Sequence, residues 1–458
     1  MYITIAPLRK LFTVVVFLSV SLGSIAQKNE AGWENLFDGR TLQGWKILGA
    51  KVPYVVEDGA IVGTTVLNSG NSFLTTEKHY ADFVLELDIK LGSPVNSGVQ
   101  TRSHFDAIKN RVYGRQVEID PSDRKWSGGI YDEARRQWLY PLSLNPTATN
   151  LYKPGEYNHL KIECIGNETK TWLNNMPVAY VIDTVDREGF IGLQVHSVST
   201  EAQAGKKIFF KNIRIKTGNL KSSPFPKNIY VVNMESNTLS ANEKKAGWKM
   251  LFDGKTSSGW VGAYKTAFPE KGWRIKNGTL AVLPSSGGES ANGGDIVSKE
   301  KYSAFDLSFD FKLSPGANSG IKYFVTLNEK NTGSAIGLEY QILDDQLHPD
   351  AKLGNNGNRT LASLYDLIKA DKQPRFLHPV GQWNSGRIIV YPDNRVEHYL
   401  NGSKVLEYVR GSKEFRDLVA TSKYKDWKNF GEAPEGRILI QDHGNEVSLR
   451  SIKIKKLK

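Results

Sequence analysis

The chain has 458 residues, a formal charge of +12, a 40% share of hydrophobic residues and a single cysteine. The lone Cys164 excludes an intramolecular disulfide, so the compact state must rest on apolar packing, and the length allows two cores of ordinary size. Lys and Arg are spread singly along strand-like stretches, which points to solvated faces and away from a nucleic-acid partner.

Residues 1–26 carry the marks of a secretory signal: Arg9 and Lys10, then the apolar run Leu11 to Leu22, then Ser24-Ile25-Ala26 as a small-x-Ala cleavage site. Cleavage before Gln27 is expected. The apolar run is too short for a bilayer span, and no later stretch is apolar enough to make one. No Cys follows the cleavage site to take a lipid. The expectation is a periplasmic or secreted protein with no membrane span.

The chain then repeats itself. Gly32-Trp-Glu-Asn-Leu-Phe-Asp-Gly-Arg-Thr-Leu-Gln-Gly-Trp45 returns as Gly247-Trp-Lys-Met-Leu-Phe-Asp-Gly-Lys-Thr-Ser-Ser-Gly-Trp260, identical at nine positions. Such a duplication divides the mature chain into a first domain, 27–217, a Ser-, Asn-, Lys- and Pro-rich linker, 218–246, and a second domain, 247–458. The offset between matching residues grows from 215 at Trp33 and Trp248 to 222 at Asn96 and Asn318, 223 at Gln116 and Glu339, and 247 at His196 and His443. The second repeat therefore carries its extra length mainly in 345–380 and 410–435.

Strand signals dominate both repeats. Phe83–Leu91 and Phe305–Leu313 alternate apolar and polar residues. Further strands are expected at Tyr54–Val56, Ala60–Gly63, Gly98–Arg102, Arg115–Ile119, Asn158–Cys164, Thr169–Leu173, Gly189–Val195 and Ile208–Ile215, separated by turn pairs such as Asp58-Gly59, Asn277-Gly278 and Asn401-Gly402. Helix is expected only in short pieces such as 413–421. Many short strands with regular turns predict an all-β chain of two β-sandwiches.

Four motifs recur in order in each repeat: Leu-Phe-Asp-Gly-x-Thr-x-x-Gly-Trp; Asn-Ser-Gly followed by Val or Ile; Gln116-Val-Glu-Ile-Asp120 or Glu339-Tyr-Gln-Ile-Leu-Asp344; and Leu-Gln-x-His196 or Ile-Gln-Asp-His443-Gly. Together they resemble the 3-keto-disaccharide hydrolase domain family over nearly all of both repeats. The resemblance implies a concanavalin-like jelly roll and activity on 3-keto-glycosides. It does not by itself exclude a non-catalytic glycan-binding protein or a conventional endo-glucanase on the same fold.

Gln116, Glu118 and Asp120 share one strand face at steps of roughly 6.6 Å, a polar row suited to a sugar. Jelly-roll glucanases place carboxylates at both ends of a similar row. Here the first position is Gln116, and an amide can neither attack as a carboxylate nor deliver a proton. In the second repeat the row is Glu339, Gln341 and Leu343, with Asp344 just past it. The resemblance asks for other groups. A C3 ketone acidifies the C2 proton, so a base, a cationic or metal partner for the enolate oxygen and an acid for the leaving group suffice.

In the first repeat the candidates are Glu118 or Asp120 as base, His196 as acid/base and Arg102 as oxyanion partner, with Gln116, Tyr131 and Gln194 orienting substrate and Trp126 and Trp138 stacking on it. On this reading Glu118→Gln abolishes turnover of a 3-keto-glucoside. In the second repeat they are Glu339 and His443 as catalytic groups, with Gln341, Asp344, Tyr365 and Gln441 binding substrate and Lys322 nearby; the cationic role has no clear match there. Trp33, Trp45, Trp248 and Trp260 are expected in cores, and Asn96-Ser-Gly98 and Asn318-Ser-Gly320 in turns. There is no His-x-x-x-His or Cys cluster; no cofactor is assigned, and a divalent ion held by a carboxylate and a His is left open.

Overall fold

The computed structural model describes Met1 and residues 32–285, 288–327 and 336–458. The expected signal segment lies, apart from Met1, outside the described residues. Among those described, each repeat is a sandwich of two antiparallel sheets, as the alternating strands require. In the first repeat one sheet runs in the order Gln137–Tyr140, Ile130–Glu133, Arg111–Ile119, Ser97–Asp106, Phe190–Val195, Ser72–Thr76, Trp45–Gly49. The facing sheet centres on Phe83–Leu91, flanked by Asn158–Ile165 and Lys207–Lys216. The second repeat matches it, with Leu338–Leu343, Asn318–Val325 and Arg437–Ile440 adjacent in one sheet and Phe305–Leu313 between Asn384–Val390 and Val447–Lys456 in the other. The helices Ala241–Lys245 and Lys413–Ala420 are short.

Strand parity decides what each sheet presents. Val99, Val117, Ile119, Ile191 and Leu193 enter the first core, so Gln116 and Glu118 are forced onto the opposite face. Ile321, Tyr340, Ile342 and Ile440 do the same in the second repeat and send out Lys322, Glu339 and Gln341.

The opening motif is an Asp-anchored turn made twice. Asp38 Oδ1 accepts from the backbone N–H of Arg40 and Thr41 at 2.7 Å, and the Thr41 hydroxyl donates to Oδ2; Asp253 repeats these bonds with Lys255 and Thr256. Trp45 and Trp260 are buried, each indole N–H donating to a carbonyl nine residues back, Leu36 and Leu251.

The segment between the repeats packs onto both of them. Phe225, Ile229 and Val231 are buried in the first core, and Val232–Asn233 adds a parallel strand beside Met176–Ile182. The helix Ala241–Lys245 starts with a capping box between Ser240 and Glu243. Glu243 is itself buried and pairs at 2.6 Å with buried Lys453 on the last strand. Ile389 and Tyr399 of the second repeat belong to the first repeat's core cluster, and Ser143 donates to the Gly402 carbonyl at 2.5 Å. The two sandwiches are thus in direct contact.

Candidate functional site

Each repeat has a cavity on the outward face of the sheet that carries the polar row. The first, of about 270 Å³, is lined by Gln116, Glu118, Tyr131, Glu133, Trp138 and His196, with Asn71, Asn96, Gln137, Arg124 and Arg375 completing its wall and mouth. Both cavities, at about 270 and 220 Å³, fall just below the roughly 300–1,000 Å³ of ordinary ligand sites.

Glu118 is held from two sides: Asn96 donates to Oε1 at 2.6 Å and Gln116 to Oε2 at 2.8 Å. Gln116 in turn accepts from Gln100 at 2.8 Å. Burial outweighs these two donors and pushes the Glu118 carboxyl up to about 7. Glu133 is also raised by burial, although Asn71 donates to it at 3.1 Å. The same Asn71 accepts the Ser197 N–H at 2.8 Å, and the Ser197 carbonyl lies 2.7 Å from His196 Nδ1. A carbonyl only accepts, so Nδ1 of the neutral ring carries the proton and Nε2 offers its lone pair.

The second cavity, of about 220 Å³, is lined by Glu339, Gln341, Lys322, Tyr365, Gln441 and His443, with Glu289, Asn318, Lys423 and Tyr424 among its further walls. Lys322 Nζ stands 4.0 Å from Glu339 and 3.8 Å from Glu289. Glu339 is pushed up to about 7 by burial, against the pull of Lys322 and Lys423. The neighbouring carboxylates more than offset the burial of Lys322 and hold its ammonium above the ordinary lysine range. Lys423 is lowered, chiefly by burial. With its amide oriented to donate, Gln341 gives hydrogen bonds to the Ser319 carbonyl at 3.0 Å and to Glu339 at 3.2 Å. The Tyr365 hydroxyl donates to Asp350 at 2.8 Å, and the His443 ring meets that of His348 edge-on at 5.7 Å.

The Asn-Ser-Gly motifs are strand starts, not the turns expected from sequence: Ser97 and Asn318 open their strands. Their glycines have a steric task. A Cβ on Gly98 would sit 2.5 Å from the Gln116 side chain, and one on Gly320 would collide with the Glu339 carboxylate. Only a bare α-carbon lets the neighbouring row residue lie flat across the strand.

Several expected residues stand elsewhere. Arg102 is fully buried at a bulge and donates to the Ala81 and Gly166 carbonyls and to Asp82; it braces the sandwich edge and does not line the cavity, because the bulge breaks the strand alternation there. Asp120 and Asp344 lie just past their strands and bind backbone N–H groups of the following turn, from Ser122 and from Gln346 and Leu347. Asp120 also pairs with Arg124 at 3.0 Å. Gln194 is buried outside the cavity lining, with neither amide atom hydrogen-bonded among the described residues. Trp126 packs edge-on against Trp138 at 4.9 Å, behind the lining.

The sequence reading missed Glu133, Asn71, Asn96, Arg124 and Arg375 in the first site and Glu289 and Lys423 in the second. Most come from segments far apart in the chain, with no periodicity to mark them. Asn96 and Asn318 alone had a signal, their recurrence in a shared motif. Among the described residues no group of three or more His, Cys, Asp or Glu side chains converges to hold a metal ion.

A family model for the 3-keto-alpha-glucoside-1,2-lyase-like domain matches residues 32–216 and again 247–455. A 3-keto-disaccharide hydrolase from Bacteroides thetaiotaomicron is 37% identical over 263 residues, covering 53% of this chain and 89% of that protein. Among solved structures, a candidate glycosyl hydrolase from Parabacteroides distasonis is similar at 29% identity and a TM-score of 0.42, covering 49% of this chain and 100% of that one. A second from the same organism stands at 25% and 0.34, covering 46% and 99%. The chain is a carbohydrate-active enzyme of the glycoside hydrolase and lyase kind, and it belongs to the 3-keto-alpha-glucoside-1,2-lyase-like family, whose domain it carries twice.

Proposed function

We propose that the protein is an exported enzyme that cleaves 3-keto-glycosides and that the second repeat carries the cleavage. The observation behind this choice is the placement of Lys322 at 4.0 Å from Glu339, both lining one cavity with His443. The first repeat has Gln100 at the place of Lys322, so its carboxylate has no ammonium in the row.

The reaction needs one bond change at C2 and one at C1. The Glu339 carboxylate takes the C2 proton, which the C3 ketone has made acidic. Lys322 offers its positive charge to the oxygen that becomes the enolate. The C1–O bond then breaks as C1=C2 forms, and His443 delivers a proton to the departing oxygen. Addition of water across C1=C2 completes net hydrolysis. Tyr365 orients a hydroxyl; its own proton is held far above neutral pH by burial and by Asp350. The first repeat, with Glu118, Glu133 and His196 around its cavity, binds a saccharide.

The test is turnover of a 3-keto-glucoside by the full chain, with and without chelator, beside the unoxidised glucoside. Turnover of the 3-keto compound that Glu339→Gln removes supports the reading. Cleavage of the unoxidised glucoside would favour a conventional glucanase, and tight binding without turnover of either would favour a lectin-like protein.

A further inference from the structure

The mouth of the first cavity is built by both repeats. Arg124 comes from the loop after the strand Arg111–Ile119, whereas Arg375 comes from the 3-10 turn Pro374–Phe376 in the second repeat's extra length. That turn is seated by Phe376, which is buried and packs on Trp126 at 5.7 Å. Two guanidinium groups therefore share one opening. Arg124 has Asp120 at 3.0 Å. Among the described residues Arg375 donates to a neutral oxygen, Gln373 Oε1, at 3.0 and 2.7 Å, and none of their carboxylates lies within ion-pair distance of it. Partial burial and the like charge of Arg124 hold the Arg375 guanidinium below the ordinary arginine range, more than Asp120 counters. Like charges brought together in this way leave a place for an anion. Inside, the facing carboxyls are Glu118 and Glu133, both raised by burial; Glu118, pushed up to about 7, is the less opposed to an anion below neutral pH.

We infer that the first repeat's cavity takes an acidic saccharide, its ring against Gln116, Glu118 and Tyr131 and its carboxylate or sulfate between Arg124 and Arg375, so that the second repeat completes the first repeat's specificity. This rests only on the saccharide-binding reading of the first repeat, not on the cleavage reaction. It also gives the second repeat's extra segment a task outside its own sandwich.

The test is calorimetric binding of methyl glucuronide, glucose 6-sulfate and methyl glucoside to the full chain at pH 6 and low salt. A charge-assisted bond of ordinary strength predicts about tenfold tighter binding of an anionic sugar than of methyl glucoside, weakening as salt rises. Arg375→Ala should bring the ratio near one, and Arg375→Lys should keep part of it. A preference for glucuronide alone marks carboxylate recognition, and an equal preference for the sulfate marks recognition of charge; either supports the inference. Equal binding of the neutral and anionic sugars would overturn it while leaving a saccharide site in place. A preference that Arg375→Ala does not change, or no binding of any of the three, would overturn it as well.

Discussion

The two repeats put the same three strand positions to different use. In the first, Gln100, Gln116 and Glu118 form a row of amide, amide and carboxylate; in the second, the matching Lys322, Glu339 and Gln341 read ammonium, carboxylate and amide. The backbone frame is shared down to the cross-strand pairs Gln100 with Gln116 and Lys322 with Glu339, and down to the glycine beneath each row. The carboxylate and its neighbouring amide have exchanged places, a move of two residues or roughly 6.6 Å along the strand. Both carboxyls end near the same pKa of about 7, because burial dominates each. What differs is the company, two neutral donors in one case and one neutral donor with two lysines in the other. A duplicated fold can thus hold an acid of similar strength in two places while only one sets a lysine beside it in the row, the first cavity's cations being the arginines at its mouth.

The sharpest way to break this comparison is to neutralise each carboxyl in turn. Glu339→Gln is expected to lower kcat/KM on a 3-keto-glucoside by about 100-fold or more, the ordinary weight of a general base, and by far more than Glu118→Gln. The reverse order in steady-state kinetics would move the chemistry to the first repeat. The coupling of the halves is tested by Glu243→Ala, which strands buried Lys453. It should cost about 3–5 kcal/mol, read as a lower denaturant midpoint for both sandwiches together; two separated transitions would show that they unfold independently.

The pH dependence follows from burial. Glu118 binds its proton until about pH 7 when folded but only to about 4.5 when unfolded. Its contribution to stability is therefore full below about pH 4.5 and is lost as pH rises to about 7, roughly 3 kcal/mol in all. Between pH 4.5 and 8 the melting temperature of Glu118→Gln should fall less than that of the unsubstituted protein. Activity has the opposite sense, since Glu339 must be ionised to act: kcat/KM should rise with pH through about 7. A flat profile would remove Glu339 as the base. An effect comparable to that of Glu339→Gln is expected of Lys322→Gln, which gives the second row the first row's residue; a loss of about 100-fold in kcat, with KM less affected, would tie the lysine to the enolate rather than to binding.

Much of the architecture was open to reading from local pattern. Alternation in Phe83–Leu91 and Phe305–Leu313 marked central strands, and the doubled motif gave the two sandwiches, because a strand's period of two is written in adjacent residues. Parity on the strand Arg111–Ile119 likewise sent Gln116 and Glu118 to the outward face, where His196 joins them at the same cavity. Parity failed at Arg102, where a bulge shifts the register, and at Asp120, which lies past the strand end and binds a turn amide; Asp344 stands just past its row, as expected, and binds backbone amides. Trp126 showed that an aromatic near a site can be part of its support, and Gln194 that an amide two residues from a lining histidine can stay outside the cavity.

What the chain determined by itself was the repeat, the fold and the polar row, since each depends on neighbours in sequence. Which charges meet that row was decided only in three dimensions. Glu133, Lys423 and above all Arg375 arrive from other strands, from insertions and from the other repeat. Nothing in their local sequence distinguishes them from the many solvated charges around them, because electrostatic partnership is set by distance and burial after folding.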